Sequence, residues 1–160
     1  MQLPGSYESP LGCILLAGDA EGLAGLRFAA EGEEAPPCEE ICLARTSEWL
    51  EIYFSGHDPG PVPPLRMNGS PFRRRVWEIL REIPYGRTVT YGEIAARIAE
   101  ERGLKRMSAQ AVGGAVGSNP IAILVPCHRV IGADGSLTGY AGGILRKKAL
   151  LELEGSAFRE

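Results

Sequence analysis

The sequence has 160 residues, a formal net charge of −3 and a hydrophobic content of 44%, and its mean hydropathy of −0.05 is typical of an ordinary globular protein. No stretch approaches the roughly 18 to 20 apolar residues of a membrane helix, and the first ten residues lack the charged and apolar regions of a signal peptide. We therefore expect no membrane partner and a cytoplasmic location, or a nuclear one if the source is eukaryotic. In that setting the four cysteines are expected to be thiols.

The charge is divided unevenly along the chain. Residues 1–63 hold 11 acidic and two basic side chains, a net charge of −9, whereas residues 64–160 hold 15 basic and nine acidic ones, a net charge of +6. A basic half on an acidic protein favours a local surface for a polyanion, because Lys and Arg release condensed counterions when they bind phosphates. The alternative is that the acidic half keeps the protein in solution and the basic charges form a solvated face.

A stretch rich in proline and glycine separates two folding units. Residues 55–71 contain five prolines and three glycines and predict a connector rather than a regular element. We place the division between two domains, 1–63 and 64–160, inside this stretch. Upstream of it, residues 12–18 and 22–30 predict two strands joined by a turn, and residues 36–54 predict a helix.

The cysteines of the first half raise the question of a metal. Cys38 and Cys42 stand four residues apart and, with Cys13 and His57, contain the atoms of a zinc site. Zinc sites usually have tighter paired spacings, so buried thiols are the favoured interpretation and we predict no metal.

The second half begins with two predicted helices. Ser70 followed by Pro71 is typical of a helix start, and the residues after them place apolar side chains on one side. Thr90 and Glu93 are spaced as a capping box, which places Tyr91 in the exposed first turn of the next helix. An ordinary half-buried tyrosine is the alternative interpretation of Tyr91.

Residues 109–117 predict a third helix that is unusually rich in glycine and alanine. Each of its three glycines costs a helix about 1 kcal/mol relative to alanine, so the backbone must approach something closely. Two partners fit: another helix of the protein, or a nucleic-acid groove approached by the second helix of a helix-turn-helix. The short connection and the basic residues near it favour the groove.

The apolar run 121–125 ends in Pro126, Cys127 and His128. Proline tends to end a strand, and a cysteine with a base within reach, directly or through one water, becomes a thiolate nucleophile. Adjacent strand residues point to opposite faces, so direct contact requires a bend and a water bridge is the alternative. Glu154 is the candidate orienting carboxylate, because it lies at a helix end where the dipole disfavours a negative charge by roughly 0.3 to 1 kcal/mol.

These motifs resemble those of the O6-alkylguanine-DNA alkyltransferase family. The matching motifs are Pro-Cys-His-Arg-Val at 126–130, Asn-Pro at 119–120, AVGGA at 111–115, IPYG at 83–86, TGYAGG at 138–143 and LEG at 153–155. The match is continuous from about Pro71 to Gly155. It therefore covers the second half of the chain, while the first half is similar only in its layout.

The resemblance implies an α/β fold class, with an N-terminal ribonuclease H-like α/β domain and a C-terminal, mainly α, winged-helix-like domain with a helix-turn-helix. It implies a monomer whose partner is double-stranded DNA bearing alkylated guanine, read through the minor groove with the damaged base flipped out. The implied activity is direct-reversal repair, a stoichiometric and irreversible transfer of the alkyl group from O6-alkylguanine to Cys127, with O4-alkylthymine as a candidate second substrate. Neither a metal nor a diffusible cofactor is implied.

The resemblance also implies a role for each matched residue. The catalytic set is Cys127 as nucleophile, His128 as water-mediated base, Glu154 as its orienting carboxylate and Asn119 as the brace of the turn. The substrate-binding set is Tyr91, Val130, Tyr140 and Ala141. The DNA-binding set is Gln110, Ala111, Gly113 and Arg129.

Gln110 departs from the family pattern, which usually has an arginine that intercalates in place of the flipped base. Glutamine supplies no charge and stacks less well than a guanidinium. The alternative function is therefore a lesion-sensing DNA-binding protein with weak or no transfer, although sensing proteins of this kind have tryptophan where this chain has Cys127. A cysteine hydrolase is a third class, which would leave the helix-turn-helix without a purpose.

Overall fold

The computed structural model describes residues 3–34 and 41–159. These residues form two compact units: one holds the described residues up to Asn68 together with Pro120–Leu124, and the other holds Gly69–Asn119 and the described residues from Val125 onward. The first unit is mixed α/β and the second is mainly helical, as the sequence predicts. None of the helices in the described ranges is both long and apolar enough to cross a membrane.

The first unit is built on an antiparallel meander of three strands, β1 (Leu3–Ser9), β2 (Gly12–Asp19) and β3 (Gly22–Phe28). The strands β2 and β3 are the two predicted from the sequence, and they are joined by the predicted turn. The sequence pattern does not predict β1, because LPGSYES has no alternation of apolar and polar residues. Gly22 begins β3 at a φ of +152°, where an added Cβ would lie 2.8 Å from the carbonyl oxygen of Pro64.

The helix α1 (Ile41–Phe54) packs on β2 and β3 and completes the core of the first unit. It confirms the helix predicted over 36–54, whose first residues lie outside the described ranges. Leu43, Leu50 and Tyr53 are fully buried on its inner side, and the rings of Trp49 and Tyr53 stack with their centroids 5.5 Å apart.

The first unit extends past the predicted division after residue 63. Leu65 pairs with Leu23 in a parallel bridge, and the backbone N–H of Arg66 donates to the carbonyl oxygen of Leu23 at 2.8 Å. The segment Pro120–Leu124 joins the same unit, because its backbone exchanges hydrogen bonds with Leu26. Both segments belong to the first unit because they are hydrogen-bonded to β3. Residue composition does not predict this pairing.

The second unit contains three helices before the predicted active segment: α2 (Pro71–Arg81), α3 (Tyr91–Glu101) and α4 (Ala109–Gly117). The predicted caps are present, since Ser70 caps α2 and Thr90 forms a capping box with Glu93. The helices α3 and α4 form the predicted helix-turn-helix, and α4 also packs on α2. The indole N–H of Trp77 donates to the carbonyl oxygen of Ala115 at 2.9 Å and joins those two helices.

The remaining elements carry the segment around Cys127. Cys127–Arg129 form one turn of 3₁₀ helix, β5 (Val130–Ile131) pairs in parallel with β4 (Val89–Thr90), and α5 (Ile144–Glu154) follows. The apolar run before Cys127 is not the strand that the sequence predicts. Within the described residues it makes one bridge, from Ile121 to Leu26, and Ile123 leaves the extended conformation at a φ of +69°.

Candidate active site

Cys127 is held in a tight turn and is only 8% exposed. Pro126 sits at φ −79° and ψ 66°, and the backbone N–H of Cys127 donates to the carbonyl oxygen of Val125 at 2.8 Å. The side-chain Nδ2 of Asn119 donates to the same carbonyl at 2.8 Å, and Asn119 also hydrogen-bonds the thiol. One amide therefore fixes both the turn and the sulfur atom.

The bend required between Cys127 and His128 is present as a 3₁₀ turn. A 3₁₀ helix has three residues per turn, so these neighbouring side chains point about 120° apart rather than to opposite faces of a sheet. The reasoning from strand geometry is therefore corrected at this position, and the Pro126 turn is its physical cause.

A buried ionic cluster is formed by the two residues that follow Cys127 and by Glu154. Nε2 of His128 lies 2.6 Å from Oε2 of Glu154, and both side chains are fully buried. Nε of Arg129 donates to Oε1 of Glu154 at 2.7 Å, and its Nη1 donates to the carbonyl oxygen of Ile83 at 2.7 Å. The backbone N–H of Gly86 adds a longer hydrogen bond to Oε1 at 3.3 Å. The carboxylate therefore contacts both a titratable base and a permanent cation.

These contacts set the charge of each group. Burial by itself raises the pKa of Glu154, but the hydrogen bonds and positive charges of His128 and Arg129 lower it to about 2. Burial lowers the pKa of His128, and the Glu154 carboxylate acts in the opposite direction. Because Arg129 is always protonated, Glu154 stays ionised while His128 is neutral. A neutral imidazole is the form that can accept a proton from a thiol.

Lys147 on α5 is a buried charged residue of the site that the sequence reasoning missed. It is 1% exposed, and its Nζ donates to the carbonyl oxygen of Val130 at 2.7 Å and to Oγ1 of Thr138 at 3.1 Å. Burial lowers the pKa of Lys147 to about 8, against the effect of the charge on Cys127. Burial likewise raises the pKa of Cys127, while the hydrogen bond from Asn119 and the charge of Lys147 lower it.

A signal for Lys147 exists in the sequence. Lys147, Leu150, Leu151 and Glu154 are spaced three, four and seven residues apart, so they share one face of a helix. All four are buried. A lysine on the face that also carries the predicted carboxylate was therefore a candidate for burial from its spacing alone.

The predicted substrate-binding residues lie in the same unit as Cys127. The hydroxyl of Tyr91 is 2.8 Å from Oγ1 of Thr138, and Val130 is buried with its carbonyl oxygen accepting from Lys147. Burial raises the pKa of Tyr140 well above its usual range, and the charge on Cys127 adds to the effect. The Tyr140 hydroxyl is buried without a hydrogen-bond partner in the described chain.

Ala141, the fourth of these residues, is exposed in the turn before α5. The structure thus brings Val130 and Tyr140 close to the thiol segment through their contacts and charges. Ala141 is exposed, and its part in substrate binding stays a prediction.

The helix α4 has an exposed face of small, uncharged residues. Gln110 and Ala111 are exposed at its start, and Gly114 and Gly117 continue that face. A Cβ added at either glycine would meet nothing within 4 Å. Packing inside the described protein therefore does not explain these two glycines, and their exposure is compatible with the predicted groove.

Gly113 is half-buried, and the position of an added Cβ faces the ring of Tyr91. A Cβ added there would lie 3.8 Å from Cδ1 of Tyr91, so this glycine marks where the tyrosine ring meets α4. Of the two partners considered for the small residues, an internal contact fits Gly113 and an external one fits Gly114 and Gly117. A contact of Gly113 with DNA stays a prediction.

Arg129 is the clearest correction to the predicted DNA-binding set. It is buried, its guanidinium hydrogen-bonds Glu154 and the Ile83 carbonyl, and it lies over the ring of Tyr85 at 5.8 Å from the centroid. A guanidinium held in this way cannot reach a phosphate, so the assignment of Arg129 to DNA binding is wrong. Sequence adjacency to Cys127 does not reveal on which side of the turn the arginine lies.

The zinc hypothesis falls mostly outside the described chain, which does not include Cys38 or the side chain of Cys42. In the ranges that the structure describes, no group of three or more His, Cys, Asp or Glu side chains could hold a metal ion. Cys13 is a half-buried free thiol on β2.

Comparison with known proteins identifies the family. The model of the family described as 6-O-methylguanine DNA methyltransferase, DNA binding domain, matches residues 71–156, which include the helix-turn-helix and the whole Cys127–Glu154 cluster. The chain belongs to this family.

Similar proteins extend the family match over nearly the whole chain. A relative from Methanosarcina acetivorans named methylated-DNA–protein-cysteine methyltransferase is 48% identical, over 94% of this chain and 96% of its own. The crystal structure of the Mycobacterium tuberculosis O6-methylguanine methyltransferase matches with a TM-score of 0.81 and 43% identity, over 97% of this chain and 93% of its own. The structure of OGT from the same organism in complex with DNA matches with a TM-score of 0.81 and 44% identity, over 95% of this chain and 92% of its own. The predicted family and fold class are confirmed.

Proposed function

We propose that this protein repairs alkylated DNA by taking the alkyl group of O6-alkylguanine onto Cys127, once per molecule. One observation carries the proposal: a single unit holds a buried thiol, a buried His128–Glu154 pair and a helix-turn-helix with a small, uncharged exposed face. The names of the relatives supply the substrate class, methylated DNA, and the acceptor, a protein cysteine.

The transfer is a displacement at carbon. Sγ of Cys127 attacks the alkyl carbon in line with its bond to O6, so the sulfur–carbon bond forms as the carbon–oxygen bond breaks. The electron pair of the broken bond goes to the guanine, which takes up one proton, and the thiol proton goes through a water to His128. Because Nε2 of His128 is held by Glu154, the relay uses Nδ1. The thioether does not hydrolyse, so each molecule reacts once.

Two tyrosines and an asparagine serve this step in the proposal. Tyr91 donates to the leaving guanine, Tyr140 flanks the alkyl group beside the thiol, and Asn119 holds the Pro126 turn. The backbone groups of Val130 and Ala141 contact the guanine edge. Support for these roles is the hydrogen-bonding of Asn119 to the turn and the interaction of Tyr140 with the charge of Cys127.

The helix α4 is the element that we place in the minor groove. Gln110, Gly114 and Gly117 are spaced four and three residues apart, so they share one exposed face. The missing side chains at the glycines let the helix backbone approach the sugar–phosphate backbone closely. Lys105 and Arg106 are exposed just before α4 and are suited to neutralise phosphates. The target guanine has to be flipped out, because its alkyl group is hidden inside the duplex.

The other two functions have less support. Relatives that are 48% and 40% identical over more than nine-tenths of this chain are named for methyl transfer to a cysteine, and this chain retains Cys127. The lesion-sensing alternative based on Gln110 is therefore not supported. A cysteine hydrolase has no use for the exposed small face of α4.

The test is an intact-mass measurement after incubation with duplex DNA that contains one O6-methylguanine. We expect one added methyl group per protein, mapped to the peptide that contains Cys127, and an equal amount of restored guanine. The matched control is Cys127→Ser, which keeps the size of the side chain but lacks the thiol, and should take up nothing. An unmodified wild-type protein that still binds the lesion would support sensing instead, and repeated turnover of an ester would support hydrolysis.

A further inference from the structure

A line of hydrogen bonds runs from a buried ammonium group to the tyrosine of α3. Nζ of Lys147 is 3.1 Å from Oγ1 of Thr138, and the same oxygen is 2.8 Å from the hydroxyl of Tyr91. Lys147 comes from α5, Thr138 from the loop before it and Tyr91 from the first turn of α3. Two parts of the sequence, 47 residues apart between Tyr91 and Thr138, therefore meet in one chain of polar groups.

The chemistry of the three groups decides which group donates and which accepts in each of these hydrogen bonds. An ammonium has three hydrogens and no lone pair, so Lys147 can only donate to Thr138. The lowered pKa of Lys147, about 8, still leaves the group mostly protonated at pH 7. Hydrogen bonds in a chain polarise one another, so a threonine oxygen that accepts from a cation becomes a better donor through its own hydrogen. Tyr91 is then the acceptor of Thr138, and its own hydroxyl hydrogen is free to point elsewhere.

We infer that Lys147 and Thr138 form a one-way hydrogen-bond chain that aims the hydroxyl hydrogen of Tyr91 at the leaving guanine. Thr138 is thus a positioning residue that acts through Tyr91, and Lys147 is the cation that sets the direction. This inference rests on the proposed function, because it assigns the donor that the departing guanine needs.

This hydrogen-bond chain assists the breaking of the carbon–oxygen bond during the transfer. As the carbon–oxygen bond breaks, its electron pair moves onto the guanine, and the Tyr91 hydrogen bond stabilises that charge. If the proton moves fully, Tyr91 gives its proton to the guanine and takes one from Thr138, which takes one from Lys147. The ammonium then becomes a neutral amine, and no other reactant is required.

Thr138 is the position at which this chain can be tested cleanly. Removing Lys147 would also remove a charge that lowers the pKa of Cys127, so its effect would mix nucleophile and leaving group. Thr138→Val keeps the shape of the side chain and removes only the hydroxyl. Thr138→Ser keeps the hydroxyl and serves as the conservative variant. Thr88→Val is the matched control, since Thr88 is also half-buried, precedes β4 and lies outside this line of hydrogen bonds.

The experiment compares two reactions of the same thiol. The first is single-turnover methyl transfer from duplex DNA with one O6-methylguanine, and the second is alkylation of Cys127 by iodoacetamide, whose iodide leaves without a proton. We expect Thr138→Val to slow methyl transfer about tenfold, the effect of one hydrogen bond to a charged group. Its iodoacetamide rate at Cys127 and its affinity for lesion DNA should match the wild type. Thr138→Ser should retain most of the transfer rate, and Thr88→Val all of it.

A double-mutant cycle with Tyr91→Phe completes the test. If Thr138 acts through Tyr91, Thr138→Val adds no further loss in the Tyr91→Phe background. The inference is overturned by wild-type transfer in Thr138→Val, by an equal loss toward iodoacetamide, or by additive losses in the double variant. A wild-type protein that takes up no methyl group overturns the proposed function and this inference together, whereas normal wild-type transfer with any of those three results overturns the inference alone.

Discussion

The two units of this protein differ in what they bury. In the described part of the first unit, Thr46 is the one buried polar side chain, whereas the second unit buries His128, Arg129, Lys147 and Glu154. Removing an ion from water costs several kcal/mol unless it is paired and hydrogen-bonded, so a unit selected for stability alone buries apolar groups. All four buried ionisable groups contact the segment 127–130 or each other. The difference teaches that charge is buried in this protein where a thiol has to react.

Glu154→Gln is the most direct way to break this contrast. It leaves Arg129 buried beside a neutral amide, so we expect a loss of about 4 kcal/mol in the free energy of unfolding. Methyl transfer should fall at least about 100-fold, because His128 loses the carboxylate that stabilises its protonated form. Chemical denaturation and single-turnover kinetics measure the two effects. Glu152→Gln on the exposed side of α5 is the control, and a Glu154→Gln protein of normal stability would contradict the contrast.

The pH dependence of stability isolates the charge of Glu154. Its pKa of about 2 in the folded protein lies below its ordinary value of about 4.5 in the unfolded chain, so its contribution is fully present above pH 4.5. That contribution, on the order of 3 kcal/mol, is lost as the pH falls from 4.5 toward 2. Denaturation curves across this window should converge for the wild type and Glu154→Gln. A constant difference down to pH 2 would show that the carboxylate charge is not the cause.

Leu50→Ala tests the apolar side of the contrast. Leu50 is fully buried in α1, so its truncation should lower the free energy of unfolding by about 3 kcal/mol. The transfer rate of the folded protein should remain within about twofold, since the first unit contributes none of the proposed catalytic groups. Ile52→Ala, on the exposed side of the same helix, should change stability by less than about 0.5 kcal/mol. A large loss of transfer rate in folded Leu50→Ala would assign the first unit a part in the chemistry.

Gln110→Arg sharpens the comparison at the surface of the second unit. An arginine at this exposed position of α4 can stack between bases and adds a positive charge, so we expect transfer from duplex DNA to rise about fivefold. Transfer from a single-stranded oligonucleotide, which needs no flipping out of a duplex, should change little. An unchanged duplex rate would show that the glutamine is not what restricts flipping.

The smallest effect is expected for an exposed ion pair of the second unit. The side chain of Arg97 is 42% exposed, and its Nη2 lies 2.9 Å from Oε2 of Glu82. Such surface pairs contribute little, so Arg97→Gln should lower the free energy of unfolding by about 0.5 kcal/mol and less at high salt. Denaturation at two salt concentrations measures this. A loss above about 2 kcal/mol would erase the distinction between buried and exposed charges on which the comparison depends.

The local features of the fold were predictable because their causes lie within a few residues. The cap of α2 at Ser70, the capping box of α3 at Thr90 and Glu93, and the extent of α4 all follow from hydrogen bonds and backbone preferences of neighbouring residues. The strand β1 was not predictable in this way, because its residues have no apolar alternation and its pairing with β2 defines it. The same holds for Pro120–Leu124, which β3 assigns to the first unit.

The residues of the candidate site were likewise predictable only where their signal is local. The motif around Cys127 and His128 predicted a nucleophile and its base, the helix-end position of Glu154 predicted the orienting carboxylate, and the family pattern added Asn119. The inward turn of Arg129 and the line from Lys147 through Thr138 to Tyr91 had no decisive local signal. They depend on groups 25 residues apart for Arg129 and Glu154, and 47 for Tyr91 and Thr138.

The amino-acid sequence by itself determined which residues can react and where its helices begin. The tertiary structure alone decided which charges are buried, and therefore that the Arg129 guanidinium turns into the protein and not toward solvent. The physical reason is that helix capping is a short-range interaction, whereas burial and ion pairing depend on packing between distant segments. His128 and Arg129 are neighbours in the chain, and tertiary packing brings Glu154, 25 residues after Arg129, into contact with both of them.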